Sequence, residues 1–237
     1  MLPIHHWEPE QIERFWDYES QFPRHYWARN NGAKLIKLYS KEIKKSKQIL
    51  DLGCGDGGLL DNLIPYLDRN SNGKVYGFDT SKDSISLVNK SNKNKKCFGG
   101  AFFDIEELEA VVGKNAIDFI FCGEVIEHVY DDALSDILNT ARRLLSKSGV
   151  LLITTPNNEC LEDNYVCNPL DGSLFHRWQH VRSWNKTSLT QTLKDHKLKV
   201  INTLETSDLW SCSFPINIYR RLKYRKKLNL FVLAQNI

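Results

Sequence analysis

The stretch Gln48-Ile49-Leu50-Asp51-Leu52-Gly53-Cys54-Gly55-Asp56-Gly57-Gly58 constrains this chain more than any other. Its first half is an apolar run that reads as a buried strand, and its second half carries four glycines in six positions. Behind them, Leu59-Leu60-Asp61-Asn62-Leu63-Ile64 repeats apolar residues at helical spacing. Strand, glycine turn and helix open a nucleotide-binding βαβ unit. Glycines are required there because the chain turns sharply and a ligand must lie against bare backbone.

Residues Gly53 to Gly58 fit the pattern G-x-G-x-x-G, which points to a nucleotide without saying which one. Asp51 narrows the choice, because it ends the strand two residues before the first glycine. A carboxylate there repels a pyrophosphate and holds a cationic or amino-bearing ligand. The run Gly73-Lys74-Val75-Tyr76-Gly77-Phe78-Asp79 reads as the second strand, with Ser81 as the N-cap of the next helix. Asp79 follows Gly57 by 22 positions, near the offset at which an acid accepts hydrogen bonds from ribose hydroxyls.

The third strand is expected over Cys97–Phe103, with Asp104 at its carboxyl end beside Ile105. At the strand's carboxyl end, where open α/β sheets take ligands, Asp104 suits two compatible roles, a hydrogen-bond acceptor for a ligand and a cap for the helix from Ile105 to Val112. Ala116 to Cys122 reads as strand four, buried on both faces. A helix follows from Asp131 through Leu145, stopped by Ser148-Gly149, and strand five spans Val150 to Thr154. This alternation gives an α/β fold with a doubly wound sheet and helices on both faces. The tail breaks the rhythm, since Leu198–Leu204 and Leu228–Ala234 read as two strands with no clear helix between them.

Chemistry-bearing residues concentrate after strand four. In Gly123-Glu124-Val125-Ile126-Glu127-His128-Val129, a helical turn starting at Glu124 would place Glu127 and His128 on its own face. Two carboxylates and an imidazole can bind a divalent cation or act as a general base. Downstream come Thr155-Pro156-Asn157 and the run Phe175-His176-Arg177-Trp178-Gln179-His180-Val181-Arg182-Ser183-Trp184, expected to be a loop.

The D-x-G-x-G-x-G motif from Asp51 resembles motif I of the class I S-adenosylmethionine-dependent methyltransferases. The combination E-V-I-E-H-V, T-P-N and H-V-R-x-W is similar to a broad bacterial group of that family, including the ubiquinone-pathway O-methyltransferases. It also resembles the small-RNA 2′-O-methyltransferases, from which it departs at Val181-Arg182-Ser183. The resemblance spans residues from about 45 to 205 and implies a Rossmann-like sheet of seven strands, mostly parallel with an antiparallel last strand. It implies S-adenosylmethionine as cofactor, bound by Asp51, Gly53, Cys54, Gly55, Gly57, Asp79, Thr80, Asp104, Ile105 and Glu124. Glu124, His128 and His180 would act on the acceptor. The RNA enzymes imply a divalent cation (magnesium or zinc) on Glu124, Glu127, His128 and His180. The expected reaction is O-methylation of a small or sugar-like acceptor. The rivals are RNA 2′-O-methylation, a nicotinamide-dependent oxidoreductase sharing the glycine pattern, and a non-catalytic binding module.

Composition bounds the rest. A chain of 237 residues suits one α/β domain with additions. A net charge of +3 excludes a global polyanion-binding signature. No apolar run approaches a transmembrane helix, and the start Met1-Leu2-Pro3-Ile4-His5-His6-Trp7-Glu8 lacks a signal-peptide plan. The six cysteines contain no C-x-x-C pair and read as reduced, buried thiols of a cytoplasmic protein, which argues against a cysteine-built zinc site. Residues 1–45 read as a helical flank or lid in which Tyr26 or Trp27 covers a ligand, and 46–237 as the main domain. An aromatic and basic insertion at about 206–227 carries Trp210, Phe214, Tyr219 and Arg220 to Lys227, a composition that suits a solvated helix face, a nucleic-acid contact or an anionic membrane surface.

Overall fold

The computed structural model describes residues 2–70, 73–206 and 228–237. Seven strands form one sheet: β1 (Gln48–Leu52), β2 (Lys74–Phe78), β3 (Phe98–Phe102), β4 (Ile117–Gly123), β5 (Leu145–Pro156), β8 (Leu198–Thr206) and β9 (Asn229–Asn236). Between β5 and β8, β6 (Tyr165–Cys167) and β7 (Leu174–His176) pair as a separate antiparallel hairpin. The order across the main sheet is β3-β2-β1-β4-β5-β9-β8, with β9 antiparallel to both neighbours. The chain first builds outward from β1 to β3, then crosses back to lay β4 on the other side of β1. The crevice at that reversal, beyond the carboxyl ends of β1 and β4, is where open α/β sheets take ligands.

The near-continuous apolar strands reflect burial on both faces. Ile49, Phe119 and Phe121 face a layer built by Leu35 of α2 (Trp27–Leu38), Leu63 and Leu67 of α4 (Leu60–Asn70), and Val88 of α5 (Lys82–Asn92). Leu50, Ile120 and Cys122 face the opposite layer. That layer is built by Leu108 of α6 (Ile105–Val112), Leu138 of α7 (Asp131–Leu144) and Leu193 of α8 (Lys186–Asp195). Ser81 caps α5 by accepting from the Ser84 N–H at 3.2 Å, as its position suggested.

Several expectations need correction. The helical flank expected over residues 1–45 is broken up, with a 3₁₀ turn at Pro23–His25 before α2 and a short α3 (Ser40–Lys45) after it. Helix α7 stops at Leu144, and strand β5 begins five residues before Val150. Gly149 lies so close to β4 that an added Cβ would sit 2.6 Å from the Ile117 carbonyl oxygen, so the glycine permits a close strand approach rather than ending a helix. Phe175–Trp184 is not all loop, since His176 ends β7 and α8 follows with Asn185 as its N-cap. Cys54, Cys97 and Cys122 are free and buried, whereas Cys160 and Cys167 are free and exposed. Cys212 and residues 207–227 of the aromatic and basic insertion lie outside the described residues.

Candidate functional site

The turn after β1 is closed by backbone. Gly53 and Cys54 both donate to the Phe78 carbonyl at 2.8 and 2.9 Å, and Gly57 donates to Cys54. Gly53 has φ +85°, and a Cβ there would meet Val125 Cγ2 at 2.4 Å. Gly55 has φ +48°, and a Cβ there would meet the Tyr26 ring at 2.8 Å. Both positions therefore demand glycine on conformation and on space. From α2, Arg29 clamps the far side, pairing with Asp56 at 2.8 Å and Asp61 at 2.7 Å.

Asp51 is 4 % exposed, and its Oδ2 has no hydrogen-bond partner among the described residues. Burial, with the nearby charges of Asp79 and Asp56, pushes its carboxyl up to about 8. A buried carboxylate without a partner is costly unless a cation arrives. Asp79 accepts from the Gly55 N–H at 2.8 Å and from the Ser81 N–H at 3.0 Å, so it ties the tip of β2 to the glycine turn. Asp104 caps α6 through one oxygen, accepting from Glu106 at 2.7 Å and Glu107 at 3.3 Å. This capping is one of its two expected roles. Beside these acids, Cys54 is buried in the turn, Ile105 packs on the core and Thr80 is exposed.

The segment leaving β4 is a turn and not the helix that would place Glu124, Glu127 and His128 on one face. Glu124 has φ +55°, and its Oε1 accepts from the Thr154 hydroxyl at 2.8 Å. This backbone twist and the Thr154 bond leave Glu124 out of the group that gathers Glu127, His128 and His180, whose candidate ligand atoms lie within 4.8 Å of one another. Burial, opposed by the Thr154 bond and aided by the Glu159 charge, lifts the Glu124 carboxyl to about 7.

Glu127 is 1 % exposed; Oε2 accepts from the Thr155 hydroxyl at 3.0 Å, while Oε1 is unpartnered among the described residues. Burial and then the Glu124 charge raise its carboxyl well above the usual range. His128 is held well below the usual histidine range by burial and then by His180, and its Nδ1 also lacks a partner among the described residues. His128 Nε2 faces Glu127 Oε1 at 3.9 Å without a hydrogen bond, and with His180 these residues form a donor set suited to a divalent cation.

His180 reaches this group because its loop is lashed down. Gln179 is fully buried with φ +61°; its side chain donates to the His128 carbonyl at 2.9 Å and accepts from Trp16 Nε1 at 3.0 Å. Val181 N–H donates to the Glu127 carbonyl at 2.9 Å, and Trp184 Nε1 donates to the Ile126 carbonyl at 3.2 Å. Glu159, after β5, lies 2.5 Å from His180 Nδ1 and 3.4 Å from His176 Nε2. Burial opposes ionisation of Glu159, but the two histidines outweigh it and hold the carboxyl down at about 2. Sequence reasoning missed Glu159, His176 and Gln179 as site residues. His176 and Gln179 lie inside the run Phe175–Trp184 already singled out, and Glu159 follows Thr155-Pro156-Asn157 by two residues.

The amino-terminal residues roof the cluster. The Trp16 ring, on α1 (Pro9–Glu19), stands edge-on to His128 at 4.8 Å and lies 6.3 Å from Tyr26, which covers Gly55. Trp7 meets Phe175 at 5.7 Å, and the His5 N–H donates to the Leu174 carbonyl at 2.7 Å. Trp27 packs instead toward Phe231 in the core, at 6.2 Å.

Comparison with known proteins agrees with this architecture. The family model described as a methyltransferase domain matches residues 22–203. The chain is 27 % identical over 151 residues to a ubiquinone biosynthesis O-methyltransferase of Ralstonia nicotianae, covering 62 % of this chain and 58 % of that protein. It is 28 % identical over 134 residues to a small RNA 2′-O-methyltransferase of Arabidopsis thaliana, covering 52 % of this chain and 14 % of that protein. The chain thus spans less than two thirds of the length of these curated relatives. The crystal structure of a Burkholderia thailandensis 1,6-didemethyltoxoflavin-N1-methyltransferase with bound 1,6-didemethyltoxoflavin and S-adenosylhomocysteine shares the fold. Its TM-score is 0.68 at 13 % identity, covering 99 % of this chain and 93 % of that one.

Proposed function

We propose, for a chain that belongs to the class I S-adenosylmethionine-dependent methyltransferases, that it methylates a hydroxyl oxygen of a small or sugar-like acceptor. The observation that carries this reading is the buried Asp51 carboxyl, whose Oδ2 has no hydrogen-bond partner among the described residues, beside a bare glycine turn and one strand from a cluster of acids and histidines. The residues fit the cofactor: Asp51 supplies a buried negative charge for an ammonium, and Gly53, Cys54, Gly55 and Gly57 offer backbone for close approach. Asp79 retains acceptor capacity for sugar hydroxyls beyond its two backbone bonds. Asp104 with Ile105 would hold the adenine, and Thr80 would line the same cofactor site.

S-adenosylmethionine supplies a methyl group already activated on a sulfonium. The chain's own task is alignment of the acceptor and removal of its proton. Glu124 stands at the rim between the cofactor turn and the acceptor side. Burial keeps His128 neutral, with a ring lone pair to offer a hydroxyl proton, and His180 would face the same hydroxyl. Glu127, His128 and His180 also fit a divalent cation of the magnesium or zinc type, which would acidify a bound hydroxyl. Residues 1–45 would serve as a lid, with Trp16 and Tyr26 excluding water. The O-methyltransferase names among the relatives support oxygen as the acceptor atom. Free thiols, and no described helix long and apolar enough to cross a membrane, fit a cytoplasmic setting.

Calorimetric titration with S-adenosylhomocysteine and with NADH tests the cofactor. Binding of the first and not the second is expected, and the reverse would make the protein an oxidoreductase. A screen of tritiated methyl transfer to phenols, sugars and short RNAs then finds the acceptor. Transfer only to RNA ends would replace the small-molecule reading, and binding without any transfer would favour the silent module.

A further inference from the structure

We infer that Glu159 and His176 form a positioning pair that fixes His180 in one tautomer, with Nδ1 protonated and the Nε2 lone pair left for the Glu127 and His128 group. This rests on the reading above, in which His180 faces the acceptor. His176 is 2 % exposed at the end of β7. Its Nδ1 accepts from the backbone N–H groups of Trp178 at 3.3 Å and His180 at 3.2 Å. A ring nitrogen that accepts carries no hydrogen, so a neutral His176 holds its hydrogen on Nε2. That atom lies 3.4 Å from Glu159 Oε1, within ion-pair range although it makes no hydrogen bond among the described residues.

The second oxygen of Glu159 lies 2.5 Å from His180 Nδ1. A carboxylate offers only acceptors, so the matching partner is an Nδ1–H. The His176 and His180 rings stack at 4.3 Å and 15°, which presents one edge of each ring to the same carboxylate. His180 Nδ1 is thereby committed, and Nε2 is the nitrogen left to meet a hydroxyl proton or a cation. A carboxylate behind a histidine in this way fixes the ring's tautomer and orientation.

The same assignment decides a second question. Glu159, His176 and His180 also have candidate ligand atoms within 4.8 Å of one another. The nitrogens facing Glu159 carry hydrogens and have no lone pair to offer a cation. Only the Glu127, His128 and His180 group then remains a candidate cation site among the described residues.

Side-chain nitrogen NMR of histidine-labelled, cation-free full-length protein at mildly alkaline pH tests the pair, with His180 assigned through H180A. The expected wild-type spectrum shows His180 as the Nδ1–H tautomer. Glu159→Ala should move it toward the Nε2–H tautomer, and Zn²⁺ affinity should fall about 10- to 100-fold. Glu159→Gln preserves bulk but has one acceptor oxygen for two histidines, so it should shift at least one of them and serves if the alanine variant does not fold. An Nε2–H His180 in the wild type, or a tautomer unmoved in the variants, overturns the proposal. S-adenosylhomocysteine affinity on the same samples is read separately. Its absence in the wild type would sink the methyltransferase reading, whereas an unmoved tautomer with binding intact sinks only the positioning pair.

Discussion

At the scale of single residues, Asp51 gives the sharpest test. Its carboxyl is raised to about 8 by burial and by the Asp79 and Asp56 charges. A raised acid binds its proton more tightly in the folded state, so its contribution to stability is complete below the unfolded pKa and is lost as pH rises through about 8. At neutral pH the cation-free protein therefore keeps Asp51 mostly protonated. A ligand bearing an ammonium stabilises the ionised form, so its binding should release close to one proton near pH 7. Titration of S-adenosylhomocysteine in two buffers of different ionisation enthalpy measures that proton directly. In Asp51→Asn the release should vanish and affinity should drop roughly 10- to 100-fold, the worth of one charged hydrogen bond. Binding without proton release would mean that Asp51 does not meet the ligand's charge.

At the scale of elements, what the sequence reveals is what is local. Strand β1, its glycine turn and the Ser81 cap depend on neighbours within a few residues, so their spacing is visible in the chain. Glu124 misleads for the same reason: helical spacing is a local rule, and its left-handed backbone and Thr154 partner come from the adjacent strand. The histidine loop is illegible because its bonds are long-range. Gln179 joins residues 163 positions back in α1 and 51 positions back after β4, and no periodicity encodes such a link. Gln179→Ala would leave the Trp16 indole N–H and the His128 carbonyl without their partner, each orphaned group costing about 1–3 kcal/mol. Gln179→Gly loses the same bonds but relieves the left-handed backbone, recovering about 1 kcal/mol. Urea denaturation should rank wild type above the glycine variant and that above alanine. A Gln179→Ala protein as stable as wild type would show that the lash contributes nothing.

At the scale of the whole molecule, the reversal of strand order between β1 and β4 brings two unbalanced charge sites to one crevice. Asp51 sits under the glycine turn, and Glu127 with His128 sits beyond β4, under the Trp16 roof. Both sites hold buried acids whose ionised forms need a positive partner. An organic cation suits the first; a divalent cation suits the second, where two imidazoles join the carboxylate. A cation that binds only the folded chain must stabilise it. At a hundred times its dissociation constant, Zn²⁺ should contribute about 2.7 kcal/mol. For a domain of this size that raises the thermal midpoint by about 5 to 11 °C. His180→Ala should abolish most of the rise while leaving S-adenosylhomocysteine binding in place, because Asp51 and the glycine turn belong to the other site. Equal midpoints in chelator and in Zn²⁺ would rule the cation out. Proton removal would then fall to His180 and His128 alone, and the transfer reaction would persist undiminished under chelation.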